Sequence, residues 1–483
     1  MSCGLMWFRE DLRVEDNTAL SAARDAHDKI LAVYVIDHAM WQLHDIASCR
    51  VAFILRNLAA LKEALNKKNI ELLVIEIGGF QQLVQVFHDL IDKCQITELY
   101  FNEQYELNEA RRDARIKKEL PISVNSFMDQ CIFHPQAILT QSNTPYTIFT
   151  PYKRNFLQRI SGSINVFPLS SIEKCEQFSF DDSLVSHWKK KKIIFHLTVP
   201  VKLGSYHSDV PSEYWPGGEV YAHKRLQHFV EEKINDYQDR RDFPSLKATS
   251  KLSAYLACGV LSSRQCFSAV MNENGGRLYG IKEGIATWVS ELIWREFYKQ
   301  ILFNFPHVSM NQAFKQQTES WPWRHDSAVF NAWAEGKTGY PLIDAAMRQL
   351  HQTGWMHNRL RMVVAMFLTK DCFIDWRWGE KFFMQHLIDG DLAANNGGWQ
   401  WAASTGCDAV PYFRVFNPVR QSERFDSEGT FIKTYCPELK EVPIKQLHDP
   451  FKLPAGLDYP KPVVDYRNTR RLIAALIPKI VSN

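Results

Sequence analysis

Over residues 1–130, short apolar runs at 5–8, 30–36, 71–77 and 98–101 alternate with longer stretches of helical period at 49–68, 80–94 and 106–120. Buried strands separated by helices cannot pair through hairpins. They need crossover connections, which build a parallel sheet from βαβ units. No G-x-G-x-x-G or Walker pattern accompanies them. Gly78-Gly79 follows a strand but lacks the third glycine, so this Rossmann-like part carries no dinucleotide fingerprint. Beyond Tyr221 the periodicity changes. Residues 224–240, 252–271, 285–305, 341–352 and 358–370 read as helices, with few strand signals. The expected architecture is an α/β domain (1–130) followed by an all-α domain (216–483). Between them, 131–215 reads as a linker packed on the surface, rich in Ser, Pro and Asp around 161–183 and 199–216. His187-Trp188 and the lysines from Lys189 to Lys192 read as a solvated basic run in an irregular region.

A chain of 483 residues calls for more than one domain. Its hydrophobic content of 46% and charged content of 23% are those of an ordinary globular protein. Its apolar stretches end well short of membrane-spanning length. The N-terminus becomes charged at Arg9 and Glu10, without a cleavable signal pattern. Ten cysteines contain no CxxC pair and no zinc-type cluster, so no metal is expected. Their scatter suits free thiols in a reducing compartment. The expected setting is cytoplasmic.

The net charge of +3 gains meaning when divided. Residues 1–200 hold 23 basic and 24 acidic side chains; the rest holds 34 and 30. Three tryptophans lie in the first part, Trp7, Trp41 and Trp188, and eleven beyond it. Basic residues mixed with aromatics suit nucleic acid, although the excess is small unless charge segregates in space.

Four segments carry chemistry. The run 388–405, IDGDLAANNGGWQWAAST, packs two aspartates, two asparagines, two glycines and two tryptophans into eighteen residues. Gly and Asn both weaken helices, so a packed helix is not expected around Asn395-Asn396-Gly397-Gly398. The composition suits a wall of a polar aromatic cavity, or a buried loop with satisfied polar groups. Thr249-Ser250-Lys251-Leu252-Ser253 opens a helix. It reads as a phosphate site or as ordinary N-capping. Trp288, Glu291, Trp294, Arg295 and Tyr298 share one helix face, either core or ligand site, and Glu291 and Arg295 could pair with each other. The run 355–362, WMHNRLRM, combines an indole, an amide and two guanidiniums, and Asp389 or Asp391 could pair with one Arg. His357 within it reads as a core histidine.

Together with LMWFREDLRVEDNTAL, NEQYELNEARRD, TSKLSAYLACGVLSSRQ, ELIWREFY and GKTGYPLIDAAMRQLHQTGWMHNRLRM, these segments run almost end to end. In this order they resemble the DNA photolyase and cryptochrome family, most closely its bacterial class I cyclobutane pyrimidine dimer photolyases. The resemblance implies an N-terminal α/β domain and a C-terminal helical domain that holds FAD in a bent shape. That explains the missing dinucleotide fingerprint. By the same resemblance Tyr237, Thr249, Ser250, Lys251, Leu252 and Ser253 cradle the FAD phosphates and ribityl chain, while Trp288, Asp389, Gly390, Asp391 and Asn395 line the flavin. Asn395 falls beside flavin N5, where plant cryptochromes carry Asp; Asn speaks for repair.

The activity implied is light-driven electron transfer from reduced FAD to a thymine dimer flipped out of the duplex. Trp294 and Trp401 would stack on the dimer, Glu291 and Asn358 hydrogen-bond its edges, and Met362 pack against it. Arg241, Arg359 and Gln421 match DNA-contacting positions, and Arg295 and Tyr298 share that helix face. Trp399, Trp376 and Trp323 match the family's photoreduction chain, in that order from flavin to surface. His44, Asn108 and Glu109 match the antenna site, which takes 5,10-methenyltetrahydrofolate in this subgroup. One departure concerns Met310, where relatives carry a Lys that meets the folate tail. A (6-4) photolyase would place histidines at Asn358 and Met362; a DASH-type cryptochrome would place Tyr and Gln at Trp294 and Met362. A signalling cryptochrome would lack parts of the lesion pocket and often carry a long C-terminal extension. The expected protein is a monomer, associated with the bacterial nucleoid.

Overall fold

A computed structural model of the chain describes residues 3–161, 170–178, 182–191, 193–204, 206–276 and 282–469. The N-terminal sheet contains β1 (Cys3–Phe8), β2 (Lys29–Asp37), β3 (Glu71–Ile77), β4 (Ile96–Asn102), β5 (Ser123–Phe127) and β6 (Ile194–His196), in the order β5-β4-β1-β2-β3-β6. The first five run parallel, as the βαβ pattern requires, while β6 joins β3 antiparallel. The crossovers are α1 (Thr18–Ala26), α2 (His38–Leu43), α3 (Ser48–Asn66), α4 (Phe80–Cys94) and α5 (Leu107–Glu119).

Strand period sorts side chains onto two faces. Leu5, Trp7, Leu31, Val33, Leu73 and Ile75 pack on the α4 side. Met6, Phe8, Ala32, Tyr34, Leu72 and Val74 join a core that continues into the C-terminal half. The edge strands were not expected. β5 is the polar SVNSF with no buried residue, and β6 is three residues long, so neither leaves an apolar run.

The stretch from 131 to 215 is more ordered than its composition suggests, although 162–169, 179–181, 192 and 205 lie outside the described residues. It forms α6 (Phe149–Ser161), with Phe149, Tyr152 and Phe156 buried. The basic run is not irregular but ends α7 (Asp182–Lys191). Trp188 is buried there and donates to Asp89 at 3.1 Å, and Lys191 pairs with the same carboxylate at 2.9 Å.

The helical half comprises α8 (Glu219–Glu232), α9 (Tyr237–Arg240), α10 (Ser253–Ala257), α11 (Ser263–Glu273), α12 (Glu283–Asn304), α13 (Ser327–Ala334), α14 (Pro341–Thr353), α15 (Asn358–Met366), α16 (Trp376–His386), α17 (Leu392–Ala403), α18 (Pro418–Phe425), α19 (Thr430–Tyr435) and α20 (Ile444–Leu447) among the described residues. The helix expected over 252–271 is broken at Gly259, whose φ is +63°. A Cβ there would overlap the backbone of Glu10, and Leu12 N–H donates to Cys258 O at 3.2 Å across the same contact. Backbone approach between the two halves thus overrides the helical period. Arg264 of α11 reinforces the junction by bonding Asp16 and Asp129, which also holds Arg13.

The expectation against a packed helix around Asn395–Gly398 is overturned by α17. Its start is capped by Asp391, which accepts from Ala394 N–H at 3.0 Å. Asn395 donates to Glu380 O at 2.9 Å, and Asn396 accepts from Gln400 at 2.9 Å. At Gly397 the ring of Tyr298 lies where a Cβ would be, whereas nothing lies within 4 Å of that point at Gly398. Tertiary contacts here supply what propensity withholds. Gly397→Ala is therefore expected to cost about 1–3 kcal/mol by overpacking. Gly398→Ala is expected to stabilise by about 0.5–1 kcal/mol through helix propensity. Paired thermal melts check both signs; a stabilised Gly397→Ala would contradict the packing described.

Candidate functional site

Polar and aromatic contacts gather at the facing ends of α10, α12, α15 and α17. Ser253 accepts from the Trp355 indole at 3.3 Å, and the Lys251 ammonium lies 5.0 Å from the centre of the Trp355 ring. Arg361 holds Asp389 through two bonds of 2.8 and 3.0 Å, which settles which aspartate takes an Arg. Asp391 pairs instead with Lys299 at 3.0 Å, and Arg50 donates to Gly390 O. On the far side Trp288 is buried against Phe229, which also meets Tyr237. The Asp389-Gly390-Asp391 loop is thus clamped from α3, α12 and α15 at once.

The entry to α10 has no side-chain cap, so Thr249 and Ser250 are not capping it; Lys251 adopts a left-handed φ of +52°. The Lys251 pKa is lowered by burial and then by Arg225, Lys247 and Lys233. Lys233 is lowered in the same way, by burial and by Arg225 and Lys247. Cations that disfavour one another's charge are residues that could hold an anion.

Asn395 spends its amide N–H on Glu380 O, so its Oδ1 remains the acceptor on that side chain. Glu380, buried beneath it, is raised to about 7 by burial, against the pull of Asn396. Asp391 is held well below the usual carboxylate range. Burial would raise it, but Lys299 and Arg295 prevail. Lys299 also bonds Glu106 at 3.0 Å, and its own pKa rises because Asp391 and Glu106 overcome its burial.

Glu291 and Arg295 do not pair with each other. Glu291 accepts from Arg241 at 2.6 Å, and Arg295 donates to Gln130 O at 2.6 Å and to Ser263 at 3.2 Å. The guanidinium of Arg295 thus faces the junction with the α/β half, on the Asp391 side, rather than the outer surface. At the mouth, Arg359 pairs with Asp242 at 2.6 Å and lies over Phe425 at 4.6 Å. Asn358 is exposed, while Met362, Trp401 and Gln421 are half-buried. Trp294 is stacked face to face on Phe149, with centroids 3.6 Å apart and planes 8° from parallel. Tyr298 lies on the same indole at 5.5 Å. His357 is a core histidine, lowered to about 4 by burial, and accepts from Arg359 N–H at 3.2 Å.

A cavity of about 830 Å³ lies between the two halves. His44, Asn108 and Glu109 line it, with Trp41, Arg112, Trp378 and Lys381, and it reaches Asp391. Asn108 meets His44 Nε2 at 3.1 Å and Glu109 meets His44 Nδ1 at 3.3 Å, which fits a neutral ring with its proton on Nδ1. Glu109 is raised to about 7 by burial and by Glu106, and its Oε2 is buried without a partner. A heterocycle with an N–H donor would complete it. Met310 is 47% exposed and offers no charge.

The three expected relay indoles are strung along the start of α16. Trp399 packs where a Cβ of Gly379 would be, one turn from Trp376. Trp323 contacts Phe373 at 5.0 Å, three residues before Trp376, and Arg324 N–H donates to Phe373 O at 2.8 Å. Trp399 and Trp376 are 2% and 0% exposed, and Trp323 is 8%.

Lys299, Arg50 and Phe149 escaped the sequence reading. Lys299 could have been found four residues after Arg295 on the same helix face. Phe149 stands two residues before Pro151, a helix-start signal. Phe413, 69% exposed beside Arg414, meets Tyr412 edge to face at 5.5 Å and is an exposed aromatic in the loop that leads to Gln421.

Residues 4–171 match the family model for DNA photolyase, and residues 288–478 match that for the FAD binding domain of DNA photolyase. The chain is 42% identical over 477 residues to the deoxyribodipyrimidine photo-lyase of Salmonella typhimurium, covering 97% of each. A bacterial class III photolyase from Agrobacterium tumefaciens superposes with a TM-score of 0.83 at 32% identity, covering 100% of this chain and 98% of that one. An archaeal photolyase from Sulfolobus tokodaii, solved with two FAD molecules, gives 0.78 at 30% identity, covering 99% and 100%. Among the described residues, no helix is long and apolar enough to cross a membrane.

Proposed function

Because the chain belongs to the DNA photolyase family, we propose that it repairs cyclobutane pyrimidine dimers in DNA with blue light, carrying FAD in its helical half. The observation that carries this reading is the Trp294 wall. An indole braced by Phe149 stands on α12 one turn beyond Glu291, which holds Arg241, and two turns beyond Trp288, with Asn358 and Met362 where a (6-4) enzyme would have histidines.

Bound FAD supplies the electron that splits the cyclobutane ring and receives it back. The chain's own groups do the rest. Lys251 and its neighbouring cations hold the diphosphate end. The Arg361–Asp389 and Lys299–Asp391 pairs fix the loop that faces the ring system. Asn395 offers Oδ1 to a ring N–H. The flipped lesion stacks between Trp294 and Trp401 and packs on Met362, with Glu291 and Asn358 as its hydrogen-bonding partners. Arg241, Arg359 and Gln421 meet the DNA at the mouth, and Phe413 joins them. Trp399, Trp376 and Trp323 pass electrons inward from the surface to restore the reduced cofactor. Tyr298 and Arg295, assigned to DNA by their helix face, act instead as inner walls.

The interdomain cavity takes the antenna pigment, 5,10-methenyltetrahydrofolate, with its pterin on Glu109. The Sulfolobus tokodaii relative, described with two FAD molecules, makes a second flavin the rival occupant. Glu109→Ala is expected to abolish near-ultraviolet folate absorbance after reconstitution and to leave repair driven by direct flavin excitation intact. Folate retained at the wild-type level would remove Glu109 from the site. The domains divide near 130 and 215, and the protein acts as a cytoplasmic monomer on the bacterial nucleoid. Reconstitution with FAD and irradiation on dimer-containing DNA tests the whole reading.

A further inference from the structure

Among the described ring contacts, the one indole against Trp399 is that of Trp333, not Trp376. The rings meet edge to face, with centroids 5.9 Å apart and planes at 76°. Trp333 is fully buried, and its Nε1 donates to Val364 O at 3.1 Å. A carbonyl acceptor stabilises positive charge on an oxidised indole. Trp376 is less well provided. Its Nε1 is buried without a partner, and the Arg377 guanidinium lies 4.7 Å from its ring centre. Glu319 and Asp375 offset part of that charge. No cation lies over Trp333, Trp378 or Trp399 among the described contacts.

From Trp333 the aromatic contacts continue outward. Phe330 stacks on Trp333 at 5.8 Å and meets Trp378 edge-on at 5.2 Å. Trp378 is half-buried and lines the interdomain cavity. Phe330 is too hard to oxidise to hold a charge itself. It fills the gap between two indoles with van der Waals contact.

We propose that Trp399, Trp333 and Trp378 form a second electron path, which ends in the interdomain cavity rather than at Trp323. It rests on the photoreduction read above, in which light leaves Trp399 short of one electron. An electron moves from Trp333 to Trp399, and a second moves from Trp378 to Trp333. Oxidised Trp378 then releases its indole proton to water, and an external thiol returns one electron and one proton. No bond between heavy atoms forms or breaks.

The test uses FAD-loaded protein with dithiothreitol, flashed with blue light, and reads tryptophanyl radical by transient absorption and electron paramagnetic resonance. Trp376→Phe cuts the first path after Trp399 and is expected to keep at least a tenth of the wild-type radical amplitude. Trp376→Phe/Trp378→Phe is expected to lose a further tenfold. Peptide mass spectrometry of irradiated wild-type protein, without thiol, is expected to find oxidised indole at Trp378, independently of any variant's folding. A radical abolished by Trp376→Phe alone, or unchanged by the added Trp378→Phe, would overturn the branch while leaving the first relay standing. Wild-type protein without any tryptophanyl radical would overturn both.

Discussion

Replacing Lys299 with methionine is expected to lower the free energy of unfolding by about 3–5 kcal/mol, the range for removing one partner from a buried ion pair. Lys299 is 1% exposed and is the shared partner of Glu106 and Asp391. Without it Glu106 and Asp391 lose their shared cation beside Glu10, leaving Arg50 and Arg295 as nearby positive charges. Adding Asp391→Asn to Lys299→Met is expected to restore part of the loss, and urea unfolding of the pair measures it. An unchanged midpoint in the single variant would mean that the triad contributes nothing. The pH dependence follows from the direction of the Asp391 shift. Its folded pKa lies below its unfolded value of about 3.9. Its stabilisation is therefore complete above that unfolded value and is lost as pH falls through the folded one. The wild type should lose stability below about pH 4 more steeply than Lys299→Met, in which that depression is relieved.

Trp294→Ala is expected to weaken binding to dimer-containing DNA by about 1–3 kcal/mol, the range for a lost base–aromatic stack. The indole is already immobilised against Phe149, so its ordering costs little on binding. Affinity for undamaged duplex should change much less, because no flipped base occupies the wall. Arg359→Ala should behave in the opposite way. It weakens both DNAs alike and lowers the salt slope by about one unit, as expected for one neutralised phosphate. Fluorescence titrations at several salt concentrations separate the two. Equal losses on damaged and undamaged DNA for Trp294→Ala would place that indole outside the lesion contact.

The residues that were legible in the sequence are those whose signal is local. Strands β1 to β4 are apolar runs buried on both faces, and α4 was bounded to the residue by its period. Asp389, Asp391 and Asn395 stood out because carboxylates and amides beside indoles are unusual in a core. What stayed hidden depends on partners distant in the chain. Lys299 meets Glu106 across 193 positions, and nothing near either residue announces the other. Glu291 lies four residues from Arg295 yet takes Arg241, 50 positions away. The helicity of α17 depends on Tyr298 filling the space at Gly397, a contact that propensity cannot contain. Gly259 broke an apparent helix for the same reason, since only the fold reveals that Glu10 lies against it.

The most direct measurement is repair itself. Protein loaded with FAD and reduced chemically in the dark is mixed with an oligonucleotide bearing one thymine cyclobutane dimer, then kept dark or exposed to blue light. The expected result is restored thymines in the illuminated sample alone, with an oligonucleotide bearing a (6-4) lesion left untouched under the same light. Tight binding to the dimer without any light-dependent restoration, or repair of the (6-4) lesion instead, would contradict the function assigned to the Trp294 wall.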